Sequence, residues 1–215
     1  MNTERLIDVL STNLEPVSQG RLEKTLILAI VTGGAAAFFL MLATVGPRPD
    51  LHSTAHLEWS AVKLLFALSV IGVGAPLLIR SMRPGLEDET WGLIFLPFFV
   101  AIAVALTPLF SGPPQAWRGL LDAATTTSPG RCLYCIPFFA VIPWAAAICA
   151  LRKGAPTRLK LSGAIAGIVA GGLGAAAYAL SCKSDTIPFI AIWYGLAIAL
   201  CAALGALFGP RLLRW

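Results

Sequence analysis

The sequence predicts an all-α integral membrane protein, in which six transmembrane helices form a bundle and both termini are cytoplasmic. The composition is the first indication, because 57% of the 215 residues are hydrophobic and only 13% are charged. With a mean hydropathy of +0.79, these proportions are typical of a polytopic membrane protein and exclude an ordinary soluble enzyme.

The second indication is a series of apolar stretches, each long enough to cross a bilayer. A helix rises about 1.5 Å per residue, so about 20 residues match a hydrocarbon core of roughly 30 Å. The stretches are Thr25–Val45, Ala61–Leu78, Trp91–Phe110, Cys135–Leu151, Leu161–Leu180 and Ile187–Phe208. They predict a transmembrane domain over residues 25–208, preceded by a cytoplasmic tail at 1–24 and followed by a short one at 209–215.

The third indication is the uneven distribution of basic residues. Lys and Arg near membrane helices are retained on the cytoplasmic side. One side of the predicted bundle has Arg5, Arg21, Lys24, Arg80, Arg83, Arg152, Lys153, Arg158, Lys160, Arg211 and Arg214. The other side has Arg48, Arg118, Arg131 and Lys183, with Lys63 just inside the second span. This asymmetry places both termini in the cytoplasm and accounts for the net charge of +5, so nucleic acid is not an expected partner.

The spans contain little that would serve transport. Apart from Lys63 near an interface, none of them has an ionisable residue in its middle, whereas ion-coupled transporters usually carry such groups. The fifth span has a small residue at every fourth position, Gly163, Gly167, Gly171 and Ala175. This spacing lets a second helix approach closely, and it is explained either by packing within the chain or by a homodimer face.

Three cysteines at the predicted outer face form the reactive group of the chain. Cys132 and Cys135 make a C-x-x-C pair where the fourth span begins, and Cys182 lies between spans five and six. A Cys132–Cys182 bridge would require Cα atoms within about 7 Å, whereas Cys132–Cys135 would be a local redox pair. The first is favoured, because Cys135 enters the apolar run. As thiolates, Cys132 and Cys182 could instead bind a soft metal, or they could form a purely structural disulfide.

The surroundings of these thiols and the remaining candidates give weaker signals. Arg131 and Lys183 flank Cys132 and Cys182, and adjacent cations lower the pKa of a thiol. Cys149 and Cys201 lie within spans, where cysteine packs as a small hydrophobe. His52 and His56 are four residues apart in the first outer loop, a spacing that metal sites also use.

The N-terminal tail is a candidate for partner binding. Leu6, Ile7, Leu10 and Leu14 make one apolar stripe at helical spacing, before Pro16 ends the segment. About a dozen residues are too few for a stable helix in water, but they suit an amphipathic element that folds into a partner's groove. The alternative is a helix that lies on the membrane surface.

Several motifs carry a resemblance that covers nearly the whole chain. In the first half they are Leu6-Ile7-x-x-Leu10 with Pro16-Val17, Arg48-Pro49-Asp50-Leu51 and Trp59-x-x-Lys63-Leu64-Leu65-Phe66-Ala67. In the second half they are Cys132-Leu133-x-x-Ile136-Pro137, Leu151-Arg152-x-Gly154-Ala155-Pro156-Thr157, Ala176-Ala177-Tyr178-Ala179-Leu180, Ala191-x-Trp193-Tyr194-Gly195 and Gly209-Pro210-Arg211-Leu212-Leu213-Arg214-Trp215. The chain resembles the NrsF family of six-helix bacterial inner-membrane proteins, negative regulators of an extracytoplasmic-function sigma factor.

The resemblance implies a membrane-bound anti-sigma factor of the bacterial inner membrane, with no catalytic residue and no cofactor. Its partner would be an extracytoplasmic-function sigma factor, held at the cytoplasmic face and released when Cys132 and Cys182 sense oxidative or metal stress. The stripe of the tail would bind the sigma factor, and the inner loops Arg80–Glu89 and Arg152–Lys160 would share the contact because the tail is short. Cys135 departs from the family pattern and leaves open which thiols pair.

Two functions of other classes are the alternatives. A thiol-disulfide oxidoreductase linked to quinone would use the same cysteines, although it would normally need a second accessible cysteine pair as a relay. A small-molecule transporter would show saturable flux in vesicles. A regulator would show neither activity and would capture a sigma factor.

Overall fold

The computed structural model of the chain describes residues 3, 19–49, 54–82, 92, 95–100, 102–103 and 129–214. All regular secondary structure in these ranges is helical, which confirms the predicted all-α class for this part of the chain. The helices are α1 Gln19–Thr44, α2 Thr54–Ser81, α3 Pro129–Leu151, α4 Leu159–Tyr178, α5 Ile187–Phe189 and α6 Gly195–Leu212. A π-helical turn, Ile190–Tyr194, joins α5 to α6.

Five of the described helical segments are long and apolar enough to cross a membrane. They are Gly20–Thr44, Leu57–Ser81, Gly130–Leu151, Leu159–Tyr178 and Ile190–Leu212, and they correspond to five of the six predicted spans. Most of the predicted span Trp91–Phe110 lies outside the described residues, although residues 96–100 and 102–103 are helical. The count of six and the cytoplasmic position of the termini therefore stay predictions, as does the structure of the tail stripe at residues 6–14.

The observed helices extend beyond the apolar runs from which they were predicted. Helix α1 begins six residues before Thr25, and α3 begins at Pro129 rather than at Cys135. The reason is that Arg, Glu and Lys favour helices as well as Leu does, so a helix continues past the residues that suit hydrocarbon. As a consequence, Cys132 and Cys135 both lie on α3.

Helix α4 is the centre of the bundle and packs against α1, α2, α3 and α6. Within its apolar window 72% of the residues are buried, against 22% to 44% in the four other long helices. Small residues make this possible, because a Cβ atom on Gly163 would collide with the Gly205 carbonyl, and one on Gly167 with the Cys201 carbonyl. The small-residue stripe of α4 is thus used for packing within the chain, against α6.

The apolar core has two main clusters, one at each end of the bundle. At one end Met41, Phe66, Cys132, Tyr178 and Cys182 belong to a single cluster; we call this the thiol end. At the other end Leu26, Leu78, Leu151 and Leu213 pack together. This second end has the basic residues Arg21, Lys24, Arg80, Arg152, Lys153, Arg158, Lys160, Arg211 and Arg214, and we call it the basic end.

Hydrogen bonds between loops and helix ends stabilise the basic end. The Arg152 Nε donates to the Leu212 carbonyl at 2.7 Å, and the Ala155 N–H donates to the Met82 carbonyl at 3.2 Å. These bonds join the turn after α3 to the last residues of α2 and α6. Among the described residues, the turn after α3 is therefore fixed to the ends of α2 and α6 at the basic end.

The close approach of α4 and α6 leads to a prediction about stability. We expect Gly167→Ala to force the two backbones apart and to destabilise the fold by about 1–3 kcal/mol. The matched control is Gly72→Ala on α2, where an added Cβ has no heavy atom within 4 Å. Thermal unfolding of both variants in detergent would show a lowered Tm for Gly167→Ala alone, and equal Tm values would contradict the packing argument.

Candidate functional site

Two of the three predicted thiols come together at the thiol end. Cys132 lies in the first turn of α3, and Cys182 lies in the segment between α4 and α5. Both are free thiols, each is only 2% exposed, and their side chains are hydrogen-bonded to each other. The two residues are 50 positions apart in the chain, so their contact is a product of how α3 and α4 pack.

The segment that carries Cys182 is shaped by the end of α4. The N–H groups of Ser181 and Cys182 both donate to the Tyr178 carbonyl, at 3.0 and 3.1 Å. These bonds occupy a carbonyl that the helix end would otherwise leave unpaired. They turn the chain back over the last turn of α4, and the Cys182 side chain points toward α3.

The loop after α1 is positioned on the same segment. Gly46 has a φ of +72°, a backbone conformation that favours glycine at helix ends, and its N–H donates to the Met41 carbonyl at 2.9 Å. The Ser181 hydroxyl donates to the Gly46 carbonyl at 2.6 Å, and the Arg48 N–H donates to the Leu180 carbonyl at 3.1 Å. The loop therefore delivers the Arg48 side chain to Cys182.

A buried ionic group surrounds the backbone of Cys182. Lys63 is 0% exposed, and its Nζ donates to Asp185 Oδ1 at 2.8 Å and to the Cys182 carbonyl at 2.9 Å. The Arg48 Nη1 donates to both carboxylate oxygens of Asp185 at 3.0 Å and to the same carbonyl at 3.2 Å. Two cations from different parts of the chain thus meet at one carboxylate and one carbonyl.

Two tyrosines complete the surroundings of the thiols. Tyr178 ends α4 beside Cys132, and Tyr194 lies beside Cys182 at the end of the π-helical turn. Tyr194 is fully buried, and the two rings lie 6.5 Å apart. A π-helical turn inserts one extra residue into a helix and often occurs at functional sites. Here it directs Tyr194 into the interior at the thiol end.

These contacts change the acidity of Cys182, which lies outside the candidate spans. The pKa of Cys182 is lowered from 9.0 to about 6, and the hydrogen bond from Cys132 is the largest cause. The Lys63 ammonium, the Ser184 backbone and the Tyr194 hydroxyl act in the same direction, whereas burial opposes them. The sequence had assigned this effect to Arg131 and Lys183, but the buried Lys63 is the cation that lowers the pKa of Cys182. These contacts favour the thiolate form of Cys182.

A cavity of about 760 Å³ connects the thiols to the surface. Cys132, Cys135 and Cys182 all line it, together with Arg131 and Lys183 at the thiol end. Cys135 is partly exposed, unlike the other two thiols. All three cysteines therefore border one cavity, although two of them are almost completely buried.

The remaining candidates lie elsewhere or outside the described residues. Cys201 is buried beside Gly171, as expected of a packing residue, whereas Cys149 is on the exposed face of α3. His52 and the side chain of His56 lie outside the part of the chain that the structure describes. Within that part, no group of three or more His, Cys, Asp or Glu side chains could hold a metal ion.

Comparison with known proteins identifies the family. The family model described as "NrsF: Negative regulator of sigma F" matches residues 10–215. The chain belongs to the NrsF family. It is 33% identical over 217 residues to the probable anti-sigma-F factor NrsF of Azospira oryzae and 32% identical over 220 residues to the anti-sigma-F factor NrsF of Caulobacter vibrioides. In both comparisons the whole of each chain is covered, and no solved structure matches.

Membership of the NrsF family confirms the resemblance on which the sequence interpretation relied. Sequence reasoning singled out Cys132, Cys135 and Cys182, but it missed Asp185 and gave Tyr194 no functional role. One signal pointed to Asp185, because a Lys inside an apolar span needs an acidic partner. Asp185 is the acidic residue of the short outer loop that also carries Cys182.

The low pKa of Cys182 predicts a specific pH dependence of its reactivity in this NrsF-family chain. Because the pKa is lowered, the thiolate is present at neutral pH and is lost as the pH falls through about 6. Only the thiolate reacts, so alkylation by a membrane-impermeant maleimide should be about tenfold slower at pH 5 than at pH 7. The rate is measured by mass spectrometry of the Cys182 peptide from intact membranes. The chain denatured in detergent is the control, and a native midpoint as high as that of the denatured thiol would contradict the assignment.

Proposed function

We propose that this chain is a membrane-bound anti-sigma factor that holds an extracytoplasmic-function sigma factor at the cytoplasmic face of the inner membrane. The observation that carries the proposal is the full-length similarity to two relatives that are named anti-sigma-F factors, together with the family match over residues 10–215. Such a role is regulatory and requires no enzymatic activity.

The proposed orientation places the basic end in the cytoplasm and the thiol end in the periplasm. Nine Lys and Arg residues of the described part of the chain are at the basic end, as the positive-inside rule requires of a cytoplasmic face. In the oxidising periplasm, the thiols at the opposite end would be able to form a disulfide. The five apolar helical segments supply the spans between the two faces.

The proposed sigma-binding element is the apolar stripe Leu6, Ile7, Leu10 and Leu14. Its last residue, Leu14, lies five residues before α1, which begins at Gln19 at the basic end. A short amphipathic segment can fold into an apolar groove of a partner protein. The inner loops Arg80–Glu89 and Arg152–Lys160 would share the contact, and both of them border helices that end at the basic end.

The proposed switch is the pair Cys132 and Cys182. An oxidant would take two electrons from the Cys132 thiol and the Cys182 thiolate as the S–S bond forms, and the Cys132 proton would be released; a soft divalent metal would instead bind both sulfurs as thiolates. Their mutual hydrogen bond, the acidic Cys182 and the cavity that both cysteines line support this role. The thiol state would then change the helix packing and release the sigma factor.

Two features weigh against the alternative functions. A quinone-linked oxidoreductase needs a second cysteine pair for relay, and among the described residues Cys135 is the one further thiol that lines the cavity. A transporter would keep ionisable groups along an open pathway, whereas Lys63 is fully buried in contact with Asp185. A homodimer is also less favoured, because α6 already covers the small-residue stripe of α4.

The thiol switch predicts the behaviour of the double variant Cys132→Ser with Cys182→Ser. We expect it to insert into the membrane and to capture the sigma factor, but to keep the factor bound when the oxidant diamide is added. The measurement is a pull-down with a tag at the C-terminus, with bound proteins identified by mass spectrometry. The matched control is Cys149→Ser, outside the cavity, which should release normally. Release from the double variant to the wild-type extent would refute the thiol switch.

The tail stripe predicts a second effect on capture. Leu6→Glu or Leu10→Glu would each remove a buried leucine worth about 1.5–3 kcal/mol, so we expect capture to weaken by about tenfold or more. The matched control is Asn13→Glu, which adds the same charge away from the stripe. If both leucine variants capture the sigma factor as the wild type does, the contact lies on the inner loops instead.

A further inference from the structure

The most unusual side chain of the bundle is the fully buried ammonium group of Lys63. Lysine is almost never fully buried unless it is paired, and this one lies on α2 with an exposed fraction of 0%. Its Nζ is 2.8 Å from Asp185 Oδ1 and 2.9 Å from the Cys182 carbonyl. Lys63 therefore contacts the chain segment that carries Cys182. The contacts are made with the Cys182 backbone carbonyl and with the Asp185 carboxylate.

Arg48 makes the same two contacts from a different element. Its side chain is 3% exposed, and its guanidinium reaches the Asp185 carboxylate and the Cys182 carbonyl. The loop after α1 and the first half of α2 are thus both attached to the four residues from Cys182 to Asp185. Direct contacts between α1 and α2 are few by comparison, so this ionic group is an important connection between them at the thiol end.

We propose that Lys63 and Asp185 are positioning residues that hold Cys182 beside Cys132 and transmit the state of this thiol pair to α1 and α2. This inference rests on the proposed function, since it names residues that regulate the same site. It extends the proposed switch from the helices that carry the cysteines to the two helices that carry the candidate contacts for the sigma factor.

The geometry gives a physical reason for this transmission. A disulfide brings the two sulfur atoms to about 2.05 Å, which is much shorter than any hydrogen-bonded separation, so Cys132, Cys182 or both must move when the bond forms. A hydrogen bond weakens steeply once its atoms leave the range of about 2.7–3.2 Å. The bonds from Lys63 and Arg48 to the Cys182 carbonyl lie within or at the edge of that range. A movement of the Cys182 backbone would therefore weaken both attachments.

The far ends of α1 and α2 are where such a movement would matter. Helix α1 begins at Gln19, within the predicted tail 1–24 and five residues after Leu14, and α2 ends at Ser81, within the segment Arg80–Glu89. These two segments are the proposed contacts of the sigma factor. A displacement at the thiol end can reach them along continuous helices of 26 and 28 residues.

A merely structural ion pair makes a different prediction from a positioning role. If Lys63 and Asp185 only stabilised the bundle, replacing either one would disturb Cys182 in the same way. If their charges act on the Cys182 sulfur, the two replacements shift the pKa of Cys182 in opposite directions, because a cation favours the thiolate and a carboxylate opposes it.

Other groups near Cys182 must stay constant in such a test. Among the described residues, the ionisable groups around it come from every neighbouring element. They are Arg48 from the loop after α1, Lys63 from α2, Arg131, Cys132 and Cys135 from α3, Tyr178 from α4, Lys183 and Asp185 from its own segment, and Tyr194 from the π-helical turn. The substitution Cys135→Ala is therefore introduced into every chain, so that Cys132 and Cys182 are the thiols compared.

The first experiment measures the pH profile of Cys182 alkylation in membranes, with a membrane-impermeant maleimide. Relative to the parent chain, Lys63→Met should raise the midpoint by about one pH unit or more, and Asp185→Asn should lower it. Lys63→Arg should leave it nearly unchanged, because the charge is kept. Shifts of the same sign for Lys63→Met and Asp185→Asn, or no shift in either, would overturn the proposal.

Folding of the variants is controlled separately. Each variant is compared with the parent by size-exclusion chromatography in detergent. If Lys63→Met does not fold, the isosteric Asp185→Asn and the charge-conserving Lys63→Arg decide alone. A lowered midpoint in Asp185→Asn together with an unchanged midpoint in Lys63→Arg supports the positioning role. Any other combination contradicts it.

The second experiment measures transmission. Lys63→Met should capture the sigma factor under reducing conditions and form the Cys132–Cys182 disulfide with diamide, yet release about tenfold less sigma factor than the parent. Release to the parent's extent would show that Lys63 does not transmit the thiol state. If the parent itself captures no sigma factor, the proposed function fails, whereas the alkylation profile still decides whether Lys63 and Asp185 position Cys182.

Discussion

The contact between the Lys63 ammonium and the Asp185 carboxylate is the interaction on which the thiol end depends. Removing an ion from water costs several kcal/mol, and a close partner must offset most of that cost. Asp185 is that partner, and it lies three residues after Cys182, so the segment between α4 and α5 must sit against α2. Once it does, Cys182 faces Cys132, and Arg48 is drawn to the same carboxylate. The electrostatic requirement of one buried lysine therefore determines where the reactive sulfur lies.

Close packing around α4 is the second constraint. Its glycines allow the backbone of α6 to approach within contact of its own backbone, which packs the bundle tightly without large side chains. Tight packing matters for a switch, because packed interiors do not deform gradually and tend to adopt discrete arrangements. A thiol pair inserted between α3 and the end of α4 is placed where a change of about an ångström must be accommodated by whole helices.

The two ends of the bundle differ in chemistry, and the proposed function depends on that difference. Reactive thiols, a polar cavity and a buried ionic group occupy one end, whereas the basic residues and the beginning of α1 occupy the other. A regulator of this kind needs a physical link between a chemical event and a binding surface on the opposite side of a membrane. Helices α1 and α2 supply such a link, since each is attached to the thiol segment and extends to the basic end.

The sequence by itself determined the all-α class, five of the long apolar helices, the segregation of basic residues and the cysteines to be considered. These follow from local composition and from spacing along the chain, which are visible without a fold. It favoured a Cys132–Cys182 pair, but it could not show that these two thiols meet while Cys135 opens to the cavity, because that depends on how α3 packs against the end of α4. The partnership of Lys63, Arg48 and Asp185 was equally hidden, since it joins residues more than 100 positions apart. Only the tertiary structure decided these contacts, because burial and pairing of charges depend on which helices are neighbours.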